Sequence, residues 1–391
     1  ALGSETVPLN EGLARVLGEP ARSADDVPPF DNSAMDGFAV RAADTAGASS
    51  ETPIELRLVG ESRAGVPADR PVGPGEAIRI STGAMLPDGA DAVVRMEEAE
   101  VEGDAVAVRI AVDSGHDARR AGEDVRAGEE VVAAGTRLGP AELGVLASVG
   151  IDEAPVVRRP AVIVLTTGDE LVAPGRALPP GGIRNTNAYT VPAQARMAGC
   201  RVSWTSTVPD DAAATEDAVR LGLAADLLVI CGGVSVGPHD HVKQVLAKLG
   251  VVERFWGIAL RPGRPTWFGV AERDGHRTLV FGLPGNPVSA MITFHLLARP
   301  AIEAMLGRTT APRERIRATL AERYKKPPGR LHAVRCTLEL RDDGWHARPT
   351  GPQGSHVLTS MLGAEALAMI EAERGDVEAG ETVEVELLSY S

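Results

Sequence analysis

Cysteine is scarce in this chain: only Cys200, Cys231 and Cys336 occur in 391 residues. An odd number of distant thiols without CxxC spacing supports neither a disulfide framework nor a zinc knuckle. A reducing, cytoplasmic setting is the expectation. Aromatic residues make up 3% of the chain, too few for the stacking platforms that hold single-stranded nucleic acid. Positive charge is also short, with 40 Lys and Arg against 54 Asp and Glu and a formal net charge of −14. That balance leaves no footprint for nucleic acid or an anionic membrane, so an anionic ligand has to be held by a local group of donors. No apolar run approaches the roughly 18 residues of a membrane span, and no basic-then-apolar leader is seen. The chain begins without Met and almost at once in a helix-like stretch, as expected of a chain trimmed of upstream residues. Neither GxxxxGK[ST] nor GxGxxG occurs, which disfavours a P-loop NTPase and a dinucleotide-binding turn. Internal repeats and low-complexity segments are absent too.

What is present is a globular composition, 44% hydrophobic and 24% charged, at a length that predicts two or three domains. Residues 8 to 19 (PLNEGLARVLGE) have helical spacing through Leu9, Leu13, Val16 and Leu17. From 53 to 125 short alternating strands are split by turn clusters such as PVGPGE and LPDGAD. Residues 130 to 150 return to a strand, a turn and a helix. From 159 to 308 apolar strand candidates at 161 to 167, 202 to 208, 226 to 231 and 278 to 283 alternate with helical stretches at 187 to 198, 213 to 224, 240 to 249 and 287 to 306. That alternation predicts a multidomain α/β chain built on a doubly wound, mostly parallel sheet, with ligands beyond the carboxyl ends of the strands. After a linker near GRTTAPRER, residues 314 to 391 are again β-like.

Three strand exits carry unusual loops: TTGDEL (166 to 171), CGGVSVGPHD (231 to 240) and FGLPGNPVS (281 to 289). In the second, Gly232, Gly233 and Gly237 free backbone N–H groups to face a phosphate, with Ser235 as a further donor and a helix start behind them. Lys243 adds positive charge one turn into that helix. A lone glycine cluster is only a tight turn, whereas three such exits in one sheet point to a ligand edge. Acids gather there as well. Carboxylates converging on a phosphate repel it unless a hard cation such as Mg2+ bridges them, so Glu170 and Asp240 read as metal ligands. Asp210 has helix capping as an equal alternative, because Asp211 and Ala212 lead directly into a helix. Arg261 and Arg264, spaced by prolines in ALRPGRP, balance the charge. His239 and His241 lack further His or Cys at ligand spacing and indicate no zinc.

With PPFDNSAMDGFAV (28 to 40), IRISTGAMLPDGADAVVRME (78 to 97), RRAGEDV (119 to 125), NTN (185 to 187), LRPGRP (260 to 265) and GPQGSH (351 to 356) in the same order, the chain closely resembles the molybdopterin molybdotransferase family, the bacterial MoeA and gephyrin E-domain type. The resemblance implies an elongated homodimer of four domains per chain: 1–27 with 126–158 (dimerisation), 28–125 (inserted, β-rich), 159–308 (α/β, molybdopterin-binding) and 309–391 (terminal β). Its active cleft would lie between the α/β domain of one subunit and the inserted domain of the other. The family's functional acids fall on Asp36, Asp124, Glu170, Asp210 and Asp240, with Thr82 beside them; Glu170, Asp210 and Asp240 would carry Mg2+. Molybdate would be held by Gly285, Asn286, Pro287 and Ser289 together with Arg264, Arg335 and Ser355. The implied reaction converts adenylylated molybdopterin and molybdate into molybdenum cofactor and AMP.

The chain departs from the family pattern in three places. RPGRP stands for the common KPGKP, Gly257 stands where a lysine often precedes that loop, and Asn185 stands where an Asp is often found. Only four of the 40 basic residues are lysines. A gephyrin-like scaffold is the main rival reading, but a scaffold has no need of clustered acids. A molybdopterin adenylyltransferase would need only the α/β domain, whereas motifs here also occupy the inserted and terminal β segments.

Overall fold

The computed structural model describes residues 2–234, 241–308 and 315–388. The chain divides into two compact units, Thr6–Leu13 with Glu19–Pro155, and Val156–Ser391 with Ala1–Glu5 and Ala14–Gly18.

The first unit holds a six-stranded sheet in the order Ala92–Arg95, Gly37–Val40, Glu76–Ile80, Ile54–Ser62, Ala105–Val108, Ala99–Glu102. Only the pairing of Ile54–Ser62 with Glu76–Ile80 is parallel. Phe38, Val40, Ala77, Val94, Val106 and Val108 form its buried core. The same unit contains the helix Pro140–Ser148, with Pro140 at its start, where a missing N–H breaks no helical bond.

The second unit is built on a six-stranded sheet ordered Arg201–Val208, Ala161–Thr167, Leu227–Cys231, His276–Leu283, Trp267–Arg273, Val252–Trp256. The first four strands are parallel and the last two antiparallel. Side chains alternate across it as a strand period of two requires. Ile163, Leu165, Leu228, Ile230 and Val280 pack on one face under the helices Ala212–Gly222 and Val242–Lys248. On the other face Val162, Val164, Leu227, Val229 and Phe281 pack under Asn187–Met197 and the helical segment beginning at Pro287. Burial on both faces explains why these strands read as continuous apolar runs.

In the same unit, Leu331–Arg341, Gly344–Pro349, Arg315–Leu320, Thr382–Leu387 and Ala366–Ile370 pair in succession, and the last pairs back with the first, closing a barrel. Leu260, Val288 and Ile292 pack on Ala333, Leu367 and Met369 and seat the barrel on the α/β layer.

Two local expectations are corrected. Residues 8 to 19 form no helix, only a single turn at Leu9–Glu11. The Val16 carbonyl accepts from the Val157 N–H at 2.8 Å and Leu17 bridges Val156, so the backbone pairs with a distant segment and Leu13 is left 56% exposed. The stretch 287 to 306 is not one regular helix. It runs as Pro287–Thr293, a wider π turn at Phe294–Ala298, then Arg299–Met305. Pro300 has no N–H to continue the ladder, and the Thr293 hydroxyl donates back to the Ser289 carbonyl at 2.7 Å, which opens the turn.

Candidate functional site

Thr167, Cys231 and Leu283 end three neighbouring parallel strands, so their loops leave from one edge. The loops are joined there: the Gly232 N–H donates to the Leu283 carbonyl at 3.0 Å, and Asn187 Nδ2 donates to the Gly285 carbonyl at 2.7 Å. Gly232 has φ +98°, and a Cβ on it would stand 2.8 Å from Thr167 Oγ1 and 2.9 Å from the Thr167 carbonyl oxygen. No other residue fits that turn. Asn185 is buried and donates to Thr166 Oγ1 at 2.7 Å and Thr207 Oγ1 at 2.9 Å, so where the family often has an acid this chain has a neutral strut between two strand ends.

Asp169 and Asp210 face each other across that edge. The Asp210 N–H donates to Asp169 Oδ1 at 3.2 Å, and the Asp169 N–H lies 3.5 Å from Asp210 Oδ2. Capping of the next helix falls to Asp211, which accepts from the Ala214 N–H at 2.8 Å, and this removes capping as the role of Asp210. Glu170 folds its carboxylate over Gly168, where a Cβ would sit 2.8 Å from Oε1. Both Glu170 and Asp210 are exposed. Among the described residues no three His, Cys, Asp or Glu side chains are grouped closely enough to hold a metal alone. Mg2+ usually keeps several waters and takes one or two carboxylates plus substrate phosphates, and the exposed oxygen donors of Glu170 and Asp210 fit that demand. Asp240, Ser235 and Gly237 lie outside the described residues.

A second feature is a cleft of about 450 Å³ lined by Arg261, Arg264, Asn286, Ser289, Arg330 and Ser355, among others. Three segments build it. Leu260–Arg261 pairs in parallel with Leu331 and His332 of the barrel, the helix starting at Pro287 presents Asn286 and Ser289, and the Ser355 carbonyl accepts from the Val288 N–H at 3.3 Å. Beneath the 352–354 turn lies Arg335, fully buried. Its Nη2 donates to the Pro352 and Gly354 carbonyls, both at 3.3 Å, while Nε and Nη1 find no hydrogen-bond partner among the described residues. Burial lowers its pKa from the ordinary arginine value. Arg158, Arg315 and Arg323 sit on carboxylates, yet among the described residues the cleft-lining Arg261, Arg264 and Arg330, and Arg335 beneath the turn, have no ion-pair partner. Three guanidinium groups without carboxylate partners around one hollow make an oxyanion seat.

Lys243 is half-buried, with its ammonium 4.4 Å from the centre of the Trp256 ring. In the other unit, Asp36 Oδ1 accepts from both the Thr82 N–H at 2.7 Å and the Thr82 hydroxyl at 3.0 Å. These bonds, the backbone one foremost, lower the Asp36 pKa. Asp124 is exposed, and its N–H donates to the Val27 carbonyl at 3.0 Å.

The chain matches the family descriptions "MoeA N-terminal region (domain I and II)" over residues 1–150, "Probable molybdopterin binding domain" over 163–304 and "MoeA C-terminal region (domain IV)" over 317–388. It is 38% identical to the molybdopterin molybdenumtransferase of Haemophilus influenzae, covering 99% of this chain and 94% of that protein. The chain belongs to the molybdopterin molybdenumtransferase (MoeA) family. The Bacillus subtilis protein of that name is 35% identical, with coverage of 98% and 90%. Among solved structures, the molybdopterin biosynthesis MoeA protein of Pyrococcus horikoshii OT3 superposes with a TM-score of 0.84 at 31% identity, covering 98% of this chain and 94% of that one.

Within this MoeA-family chain, Arg330 lines the cleft without having been singled out in the sequence, and Gln353 and His356, noted there only as part of GPQGSH, line it as well. Arg330 follows an ordinary PPG turn, and only the parallel pairing of Leu260–Arg261 with Leu331 and His332 brings it to Arg261. Trp256 was missed for a similar reason. Its indole N–H donates to the Val234 carbonyl at 2.9 Å, a contact made from the last strand of the sheet to a loop after the third. No helix among the described residues is long and apolar enough to cross a membrane.

Proposed function

We propose that this chain is a molybdopterin molybdenumtransferase that joins molybdate to adenylylated molybdopterin and releases AMP. The observation that carries the reading is the cleft where Arg261, Arg264 and Arg330, none with a carboxylate partner among the described residues, stand with Ser289 and Ser355, and the buried Arg335 lies beneath its 352–354 wall. It suits a small tetrahedral oxyanion, with Arg261, Arg264 and Arg335 supplying charge, and Asn286 and the Pro287 turn shaping the wall. Arg335 brings two donors that nothing else in the described protein satisfies. The Gly232–Gly233 turn and Lys243 are assigned to the phosphates, since amide N–H groups on a turn and a nearby ammonium complement phosphate charge.

Glu170 and Asp210 would hold Mg2+ at the strand edge, and Asp240, outside the described residues, is assigned to the same ion by the family resemblance. When bound, Mg2+ supplies charge neutralisation at the phosphoanhydride. The protein's own part is to hold the two anions close, keep their mutual repulsion screened and orient the bond that breaks. Asp36, Thr82 and Asp124 are assigned to the same reaction from a second protomer of a homodimer. The test is AMP release from adenylylated molybdopterin with Mg2+ and molybdate. Release should require molybdate in the intact protein and need far more of it in Arg264→Ala or Ser289→Ala. Release that never occurs, or that is equally efficient in both variants, overturns the assignment.

A further inference from the structure

Lysine is rare here, four residues against 36 arginines, so each ammonium invites the question of why arginine does not stand there. Lys326 is buried, and its Nζ donates to the Glu371 carbonyl at 2.5 Å and the Arg374 carbonyl at 2.7 Å, a niche for a compact donor. Lys248 pairs with Glu216. Lys243 differs: among the described residues it has no carboxylate partner, and its ammonium rests on the indole of Trp256. An aromatic face attracts a cation through its quadrupole without neutralising it, and the N–H groups remain free to bond an anion. A carboxylate in that place would fix the ammonium and also cancel it.

Trp256 is anchored for the task. It ends the Val252–Trp256 strand, and its Nε1 holds the Val234 carbonyl, one residue beyond the Gly232–Gly233 turn. One side chain thus touches both halves of the assigned phosphate seat, the glycine loop through its N–H and the lysine through its ring. We infer that Trp256 is a positioning residue of the transferase reaction, docking the Lys243 ammonium, without a carboxylate partner among the described residues, beside the glycine turn that receives the substrate's phosphates. The inference rests on the phosphate role given above to Lys243.

The experiment is AMP binding by titration calorimetry at low and high salt, for Trp256→Leu and Trp256→Phe, each in the native chain and in Lys243→Ala. Trp256→Leu should weaken AMP binding roughly 3- to 20-fold, with a shallower salt dependence, and Trp256→Phe, which keeps a ring but loses the Nε1 bond to Val234, should be no worse than Trp256→Leu. In the Lys243→Ala background the leucine change should have almost no further effect. If leucine is equally damaging with and without Lys243, the positioning role is overturned while the phosphate seat stands. If Lys243→Ala leaves AMP binding unchanged, the phosphate assignment of Lys243 falls, and the role of Trp256 with it. Phenylalanine also guards against misfolding, since it retains the bulk of the strand end.

Discussion

His332 offers a direct test of the electrostatics under the arginine cleft. It is 2% exposed on the barrel strand Leu331–Arg341, its Nδ1 is 3.1 Å from the Tyr324 hydroxyl, and its pKa is pushed from 6.5 to about 4 by burial first and then by the charges of Arg261, Lys326 and Arg330. The imidazole is therefore neutral in the folded protein at pH 7. A depressed folded-state value means that the unfolded chain binds the proton more tightly between the two pKa values. Stability is then fully present above pH 6.5, falls as pH drops toward 4 and levels off below it. Integrating between those values predicts a loss of about 2.5 kcal/mol from roughly pH 7 to roughly pH 4.5 for this group alone. The assay is denaturant unfolding over that pH range for the native chain and for His332→Gln, following the transition that melts the barrel. Carboxylates act alike in both proteins, so the difference between the two curves isolates His332. Parallel curves would refute the reasoning, as would an imidazole proton that titrates in NMR near 6.5.

Three further outcomes follow from the site. Gly232→Ala should destabilise the second unit by about 1–3 kcal/mol and weaken AMP binding, because the new Cβ meets Thr167 backbone at 2.9 Å; an unchanged melting curve would contradict that geometry. Glu170→Gln should raise the Mg2+ concentration needed for half-maximal AMP release at least about tenfold, a charged ligand having been lost, and chelator should stop release in the native chain. Thr82→Val should move the Asp36 titration up toward 3.8, since the hydroxyl bond is lost; an NMR pH titration of the carboxyl carbon reads it directly.

Much of the α/β layer is legible locally. The runs at 161 to 167, 202 to 208 and 226 to 231 are read within a residue of the observed strands; the first and third are buried on both faces and leave continuous apolar stretches, while the second is a largely exposed edge strand rich in β-branched and aromatic residues. The two antiparallel strands Val252–Trp256 and Trp267–Arg273 are not, since the first is largely exposed and interrupted by charge. The helix expected over 8 to 19 failed because Val16 and Leu17 satisfy their backbone in a strand-like pairing with residues 156 and 157, a partner that no local period reveals.

The site divides along the same line. Sequence by itself determined the identity of the glycine turn, the acids Glu170 and Asp210 at strand ends and the proline-braced arginines, because turn chemistry and charge are written in adjacent residues. Tertiary structure alone decided that Asp211 and not Asp210 caps the helix, that Lys243 lies on Trp256, and that Arg330 belongs with Arg261. The last of these depends on the parallel pairing of Leu260–Arg261 with Leu331 and His332. Pairings between segments far apart in the chain are chosen by what the whole fold can bury and hydrogen-bond together, and no short stretch of sequence contains that choice.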